Sequence, residues 1–223
     1  MENRMRIAKL IDHALLRPDL ADAELEAGCR QAAAWRVASV CVLPHGVAAS
    51  ARLLAGSGVA VGTVIGFPFG ANLPVVKAAE ARRALDDGAA ELDMVVNISK
   101  TLSQDWRFVR DDIHAVLNEA REQAAKLKVI FETCYLNEAH KLMLCDICTE
   151  LAVDWVKTST GFGPAGATAA DVRLMRARCP EQVQVKASGG IRDLSAAVLF
   201  RDLGCSRIGS SHTAAILDAC GEA

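Results

Sequence analysis

The chain has 223 residues, 52% hydrophobic and 23% charged, which is enough apolar material to bury a large core in one or two domains. Its 25 basic and 27 acidic side chains leave a formal charge of -2 and are dispersed, so no basic stripe points to nucleic acid. No apolar run reaches the roughly 18 residues that a membrane span needs. The eight cysteines sit in a chain too large to depend on disulfide staples, and Met1-Glu2-Asn3-Arg4-Met5-Arg6 lacks the apolar stretch of a secretion signal. The expected setting is the reduced cytoplasm.

In chain order, a short helical opening leads into Ile11-Asp12-His13-Ala14-Leu15, a candidate first strand. Short β-branched runs follow at 37–43, 59–65, 92–96, 127–131, 153–156, 183–185 and 207–208. They are apolar without strict alternation, the pattern of parallel strands covered by helices. Helical periodicity covers 73–87, 104–125, 137–152, 168–179 and 194–203, with Gly88 and Gly204 where helix C-termini should stop. Eight units of about 28 residues each fit the βαβ repeat, so the expected fold is α/β, a single (β/α)8 TIM barrel spanning 1–223. The alternative is a doubly wound open sheet; against it, no Gly-x-Gly-x-x-Gly opens a helix after an early strand.

In such a barrel chemistry gathers at the carboxyl ends of the strands. Lys157 and Lys186 each follow an apolar run and precede small polar residues, where an unpaired ammonium is expensive to desolvate. Burial and a second cation both lower a lysine's pKa, giving a free amine able to attack a carbonyl. The competing structural reading is that each lysine pairs with a carboxylate and seals the barrel. Asp93 lies in another apolar strand. Facing inward, it would hold the lysines and shuttle protons; alone, it would be a structural ion pair.

Thr160-Gly161, Gly189-Gly190 and Gly209-Ser210-Ser211 have the makings of phosphate-binding loops, since glycine lets backbone N–H groups approach an anion. A Gly-Gly pair alone also serves ordinary turns. Cys145-x-x-Cys148 lacks a second ligand pair and reads as helix packing, and the five histidines show no metal-ligand spacing. Gly66-Phe67-Pro68-Phe69-Gly70 is either a pocket wall or a stiff loop with apolar anchors, and Trp35, Trp106 and Trp155 read as packing.

Taken together, Lys157-Thr158-Ser159-Thr160-Gly161-Phe162 and Lys186-Ala187-Ser188-Gly189-Gly190-Ile191 closely resemble the deoxyribose-phosphate aldolase family. So do Ile11-Asp12-His13, Val40-Cys41-Val42, Gly66-Phe67-Pro68, Glu91-Leu92-Asp93-Met94-Val95 and Phe131-Glu132-Thr133-Cys134, in order along nearly the whole chain. The resemblance implies a (β/α)8 barrel and reversible cleavage of 2-deoxy-D-ribose 5-phosphate to acetaldehyde and D-glyceraldehyde 3-phosphate. It implies Lys157 as the Schiff-base lysine, Lys186 as the neighbouring cation and Asp93 as proton donor and acceptor. Asp12, Cys41 and Thr158 take supporting positions, with Cys41 a candidate for covalent inactivation or a plain core thiol. It implies no metal and no organic cofactor, and a homodimer, the common state in the family. Ala14, Ser99 and His212 depart from the usual pattern and bear on affinity. Two other readings stand beside this one: an imine-forming aldolase for a different sugar phosphate, and a barrel that binds a sugar phosphate without turning it over.

Overall fold

The computed structural model describes residues 2–221. All eight expected strands form: β1 (Ile11–Leu15), β2 (Ser39–Val42), β3 (Ala60–Ile65), β4 (Glu91–Val95), β5 (Lys126–Ile130), β6 (Trp155–Lys157), β7 (Gln184–Ser188) and β8 (Arg207–Ser210). They pair in chain order, each neighbour parallel, and β1 bonds to both β2 and β8. The sheet therefore closes, and the doubly wound alternative falls away. Two strands run further than their apolar runs suggest: β6 ends on Lys157, and β7 continues through Lys186 to Ser188. Both lysines lie inside the strand layer. Backbone pairing carries on past the charge because the ammonium groups find carboxylates within the barrel.

Helices fill the crossovers. α1 (Glu2–Ala8) opens the chain, and α2 (Asp22–Trp35) and α3 (Val47–Leu53) complete the first two connections, where periodicity singles out no helix. α4 (Pro74–Asp86), α6 (Trp106–Glu122), α7 (Glu138–Glu150), α8 (Ala169–Arg178) and α9 (Leu194–Asp202) lie within their expected spans. Their bounds follow from capping chemistry. Asp105 accepts from the N–H of Phe108 and starts α6, and Asn137, Thr168 and Asp193 do the same for α7, α8 and α9. Each such cap is worth about 1 kcal/mol. A separate turn, α5 (Ile98–Leu102), precedes α6 under an Asn97 cap, and α10 (Thr213–Asp218) follows β8. No helix among the described residues is long and apolar enough to cross a membrane.

The apolar core lies between the outer face of the barrel and the helices. Val40, Leu92, Val129, Val156, Val185 and Ile208 point outward from their strands to meet Ile113, Val116, Leu144, Val172 and Met175, all buried. Each large aliphatic side chain so buried contributes about 1.5–3 kcal/mol. Cys145 and Cys148 belong to this layer as packing, and all eight cysteines are unpaired. His13 faces outward too: its Nδ1 lies 2.8 Å from Thr213 Oγ1, its ring meets Trp35 edge-on, and burial lowers its pKa to about 4.

One ion pair is sunk in the helical layer. Lys77 on α4 donates to Asp112 on α6 at 2.5 Å and to the carbonyl of Val95, at the end of β4, at 2.8 Å. Burial pushes the lysine down and the aspartate up, and each partner's charge opposes the shift of the other. Lys77→Met is expected to cost about 3–5 kcal/mol in urea unfolding, because it strands a buried carboxylate. The pair replacement Lys77→Met/Asp112→Leu should recover most of that loss. A single variant within about 1 kcal/mol of the parent would contradict the assignment.

Candidate active site

Side chains alternate along each strand between the helical layer and the lumen. The parallel register sets Asp93 beside Lys128, Ile130 beside Lys157, Lys157 beside Lys186 and Lys186 beside Arg207. The lumen is thus lined with charge where barrels of this type mostly carry branched aliphatics. Asp93 is at the centre. Its Oδ2 accepts from Lys157 Nζ and from Lys186 Nζ, each at 2.7 Å, and its Oδ1 accepts from Lys128 Nζ at 2.7 Å. Lys186 also donates to Asp12 at 2.5 Å, Lys128 to Glu91 at 2.6 Å, and Arg207 to both Asp12 and Glu91.

The two lysines beside Asp93 Oδ2 are driven in opposite directions. Burial, the largest influence, takes Lys157 below the ordinary lysine value; Asp93 resists and Lys186 reinforces the fall. Burial acts on Lys186 as well, but Asp12 and Asp93 outweigh it and hold that pKa above the ordinary value. Asp93 is equally buried, yet Lys128, Lys157 and Lys186 hold it well below the usual carboxylate range. Asp12 is lowered in the same way, against its burial, by Lys186, Lys128 and Arg207.

Above this layer opens a cavity of about 280 Å³ at the carboxyl ends of the strands. Lys157, Lys186, Asp12, Cys41 and all of Thr160, Gly161, Gly189, Gly190, Gly209, Ser210 and Ser211 line it. Asp93 does not: it is 0% exposed and lies beneath the lysines, reaching the cavity through them. Thr158 is also outside the wall. Its hydroxyl donates to the carbonyl of Ser188 and accepts from that residue's N–H, stitching β6 to β7. Burial, then Asp93, pushes the Cys41 thiol up to about 11, which keeps it protonated and disfavours the reactive thiolate.

Three phosphate-loop expectations change in detail. Both the N–H and the hydroxyl of Thr160 are taken by Glu132, so Thr160 anchors its loop and offers no free donor. Glu132 holds a left-handed conformation, φ 56°, just past β5. The Ser210 hydroxyl donates to the Ile191 carbonyl and accepts from the His212 N–H, so that hydroxyl is already committed. Gly189 (φ 85°) packs backbone to backbone on Gly166, where a Cβ would come within 2.8 Å of a Cα. Of the divergent positions, Ala14 and His212 line the cavity, whereas Ser99 is exposed on α5 and does not. In the loop after β3, the Phe67 ring stands edge-on to Phe162, which lines the cavity, while Phe69 is 73% exposed.

Sequence reasoning missed Lys128, Glu91 and Arg207 inside the barrel, and Arg17 and Arg192 on the cavity wall. The available signal was period two: Lys128 is charged amid the apolar run 127–131 and lies two residues from the inward Ile130. Trp155, read as packing, has Lys128 and Arg207 over its ring and donates to Ser206. Among the described residues no cluster of three or more His, Cys, Asp or Glu could hold a metal.

A closed (β/α)8 barrel with a cavity at its strand ends, lined in part by buried charged side chains, has the architecture of a barrel enzyme. Within that class the chain falls among the aldolases. The DeoC/LacD family aldolase model matches residues 6–204, and the chain belongs to that family. A deoxyribose-phosphate aldolase from Rhodopirellula baltica is 52% identical over 211 residues, covering 95% of this chain and 88% of that protein. One from Clostridium perfringens is 44% identical, covering 97% and 96%. Among solved structures, the tetrameric deoxyribose phosphate aldolase of Aeropyrum pernix superposes with a TM-score of 0.92 at 30% identity, covering 99% of this chain and 93% of that one. The aldolase QR15 gives 0.92 at 39%, covering 97% and 96%.

Gly209 gives this site a local test. A Cβ there would stand 2.9 Å from Ser188 Cβ and 3.3 Å from Lys186 Cε, so only glycine leaves room for the lysine's stem. Gly209→Ala is expected to displace Lys186 and cut kcat by about tenfold or more, since misplacing a group at a reacting site by about 1 Å can cost about 100-fold. Unaltered kcat would show that the stem has slack.

Proposed function

We propose that the whole chain, 1–223, is one catalytic domain that cleaves 2-deoxy-D-ribose 5-phosphate reversibly to acetaldehyde and D-glyceraldehyde 3-phosphate through a Schiff base on Lys157. The observation that carries this reading is the shared Asp93 Oδ2, at 2.7 Å from both ammonium groups. Asp12 and Asp93 keep Lys186 charged. Burial, with the Lys186 charge beside it, pushes Lys157, 3% exposed on the cavity wall, toward the free amine against the pull of Asp93. The relatives' names and a small cavity lined by Lys157, Lys186, Arg17, Arg192 and a run of glycines and serines agree with a phosphorylated sugar.

In this mechanism Lys157 Nζ adds to the open-chain aldehyde, and loss of water leaves a protonated imine. Removal of the C3 hydroxyl proton breaks the C2–C3 bond, and the electron pair moves into the imine to give an enamine and glyceraldehyde 3-phosphate. Protonation of the enamine at carbon, then hydrolysis, releases acetaldehyde and frees the amine. Lys186, on the wall, passes protons between the cavity and Asp93, the proton carrier below it. Asp12 holds Lys186 from the other side. The phosphate sits against the backbone of Gly161, Gly189, Gly190, Gly209, Ser210 and Ser211, with Arg17, Arg192 and His212 supplying positive or hydrogen-bonding groups around it. The chemistry calls for no metal or organic cofactor, since the imine withdraws the electrons. The reading includes a cytoplasmic setting and a homodimer.

Borohydride reduction in the presence of acetaldehyde should leave one adduct, mapped by peptide mass spectrometry to Lys157. An adduct found only elsewhere, or near-normal turnover by Lys157→Met, would overturn the assignment. Across a panel of sugar phosphates, cleavage should be fastest for the 2-deoxy sugar; no preference would favour an aldolase of different specificity.

A further inference from the structure

Two basic groups inside the barrel touch nothing in the cavity. Lys128, on β5, and Arg207, opening β8, do not line it, yet both are built into the contacts beneath Lys157. The ionisable groups facing the lumen can be taken strand by strand. β1 presents Asp12, β2 Cys41, β4 Glu91 and Asp93, β5 Lys128, β6 Lys157, β7 Lys186 and β8 Arg207. β3, Ala-Val-Gly-Thr-Val-Ile, presents none. Glu132, past the end of β5, turns its carboxylate to Thr160 and stands apart. Arg17, Arg192 and His212 line the mouth of the same cavity as Lys157 and make none of the contacts that join the lumen groups.

Setting aside the Cys41 thiol, four bases (Lys128, Lys157, Lys186, Arg207) face three acids (Asp12, Glu91, Asp93). Fully ionised, the set holds one positive charge too many. With one proton gone it is balanced, and shedding surplus charge is favourable where water is excluded. The contacts decide which base gives way. Lys128 is held by Glu91 and Asp93 at 2.6 and 2.7 Å, with Asp12 at 3.6 Å. Lys186 is held by Asp12 and Asp93, and Arg207 by Asp12 and Glu91. Lys157 has Asp93 alone, through an oxygen it shares with Lys186.

We infer that Lys128 and Arg207, with Glu91, are positioning residues that make Lys157 the base standing without its proton, because they close a charge lattice that balances only in that state. The inference rests on Lys157 being the imine-forming lysine. Burial drives Lys157 down, while the carboxylates hold Lys128, Lys186 and Arg207 up against their own burial, which is the same ordering.

The lattice predicts shifts of opposite sign. Lys128→Met removes a cation, so three bases balance three acids with Lys157 charged, and Lys157 keeps its proton to higher pH. Glu91→Gln removes an acid and leaves surplus positive charge even when Lys157 is neutral, so its proton is lost at lower pH. The readout is the rate of adduct formation with acetaldehyde, trapped by cyanoborohydride and followed by intact mass across pH. The acid limb should move up for Lys128→Met and down for Glu91→Gln, each by ~1–2 units. Lys128→Met/Glu91→Gln, which deletes a contacting pair of opposite charge, should return toward the parent. A purely structural role would lower rates at every pH with the limb unmoved, and that result, or two shifts of the same sign, overturns the inference. Should Lys128→Met fail to fold, Glu91→Gln decides alone: a limb moved down supports the lattice, and one unmoved or moved up overturns it. An adduct mapped away from Lys157 in the parent overturns both this inference and the function it rests on. An adduct on Lys157 with unmoved limbs overturns only this one.

Discussion

One carboxylate oxygen, Asp93 Oδ2, receives hydrogen bonds from two buried ammonium groups, and the rest of the barrel is arranged to make that contact tolerable. Ions taken out of water cost several kcal/mol each, and geometry must return that cost. Here the return is distributed. Asp12, Glu91 and Asp93 each accept from two or more bases, so no acid in the lumen depends on a single partner. The closed parallel sheet holds this pattern because the register of eight strands is locked all round, and a slip of one residue would turn every charge into the apolar layer.

The apolar material is correspondingly displaced outward. Fully buried aliphatics such as Val129, Val156 and Val185 belong to the strand faces that meet the helices, and it is this outer shell that offsets the polar lumen. The Lys77–Asp112 pair repeats the principle at smaller scale: a buried charge is placed where it can tie α4, α6 and the end of β4 together. The strands and the tied helices hold Lys157 Nζ 2.7 Å from Asp93 Oδ2, the contact on which its proposed role as nucleophile depends.

Much of this was legible before any coordinates. Alternating β-branched runs and helical periods give seven strands to within about three residues at each end, since parallel strands covered by helices leave a strong apolar trace, and β1 is inferred from the eightfold count. Lys157, Lys186 and Asp93 stand out because each is a charge in an apolar run. Lys128 carried the same mark within 127–131 and escaped notice because strand direction, in or out, is set by barrel closure and not by the run itself. Glu91 and Arg207 sit at strand starts, where charge is ordinary. The engagement of Thr160 by Glu132 was out of reach for another reason: 28 residues separate them, and a left-handed turn at Glu132 brings them together.

The lumen and the rim answer to different physics, which bears on where this chain departs from its family. In the lumen each group is held by several others, so a substitution there disturbs the charge balance of the whole set. The rim is built from glycines, from hydroxyls committed to the main chain, as at Ser210, and from the side chains of Arg17, Arg192 and His212. A side chain can change there without disturbing the lattice below. Ala14, on β1 beside Cys41, and His212, whose Nδ1 lies 3.2 Å from the Ser211 hydroxyl, both line the cavity outside the charged set. On the proposed reading, the rim holds the phosphate end of the substrate and the lumen sets whether Lys157 is free to react. A barrel divided this way can retune the first and leave the second intact.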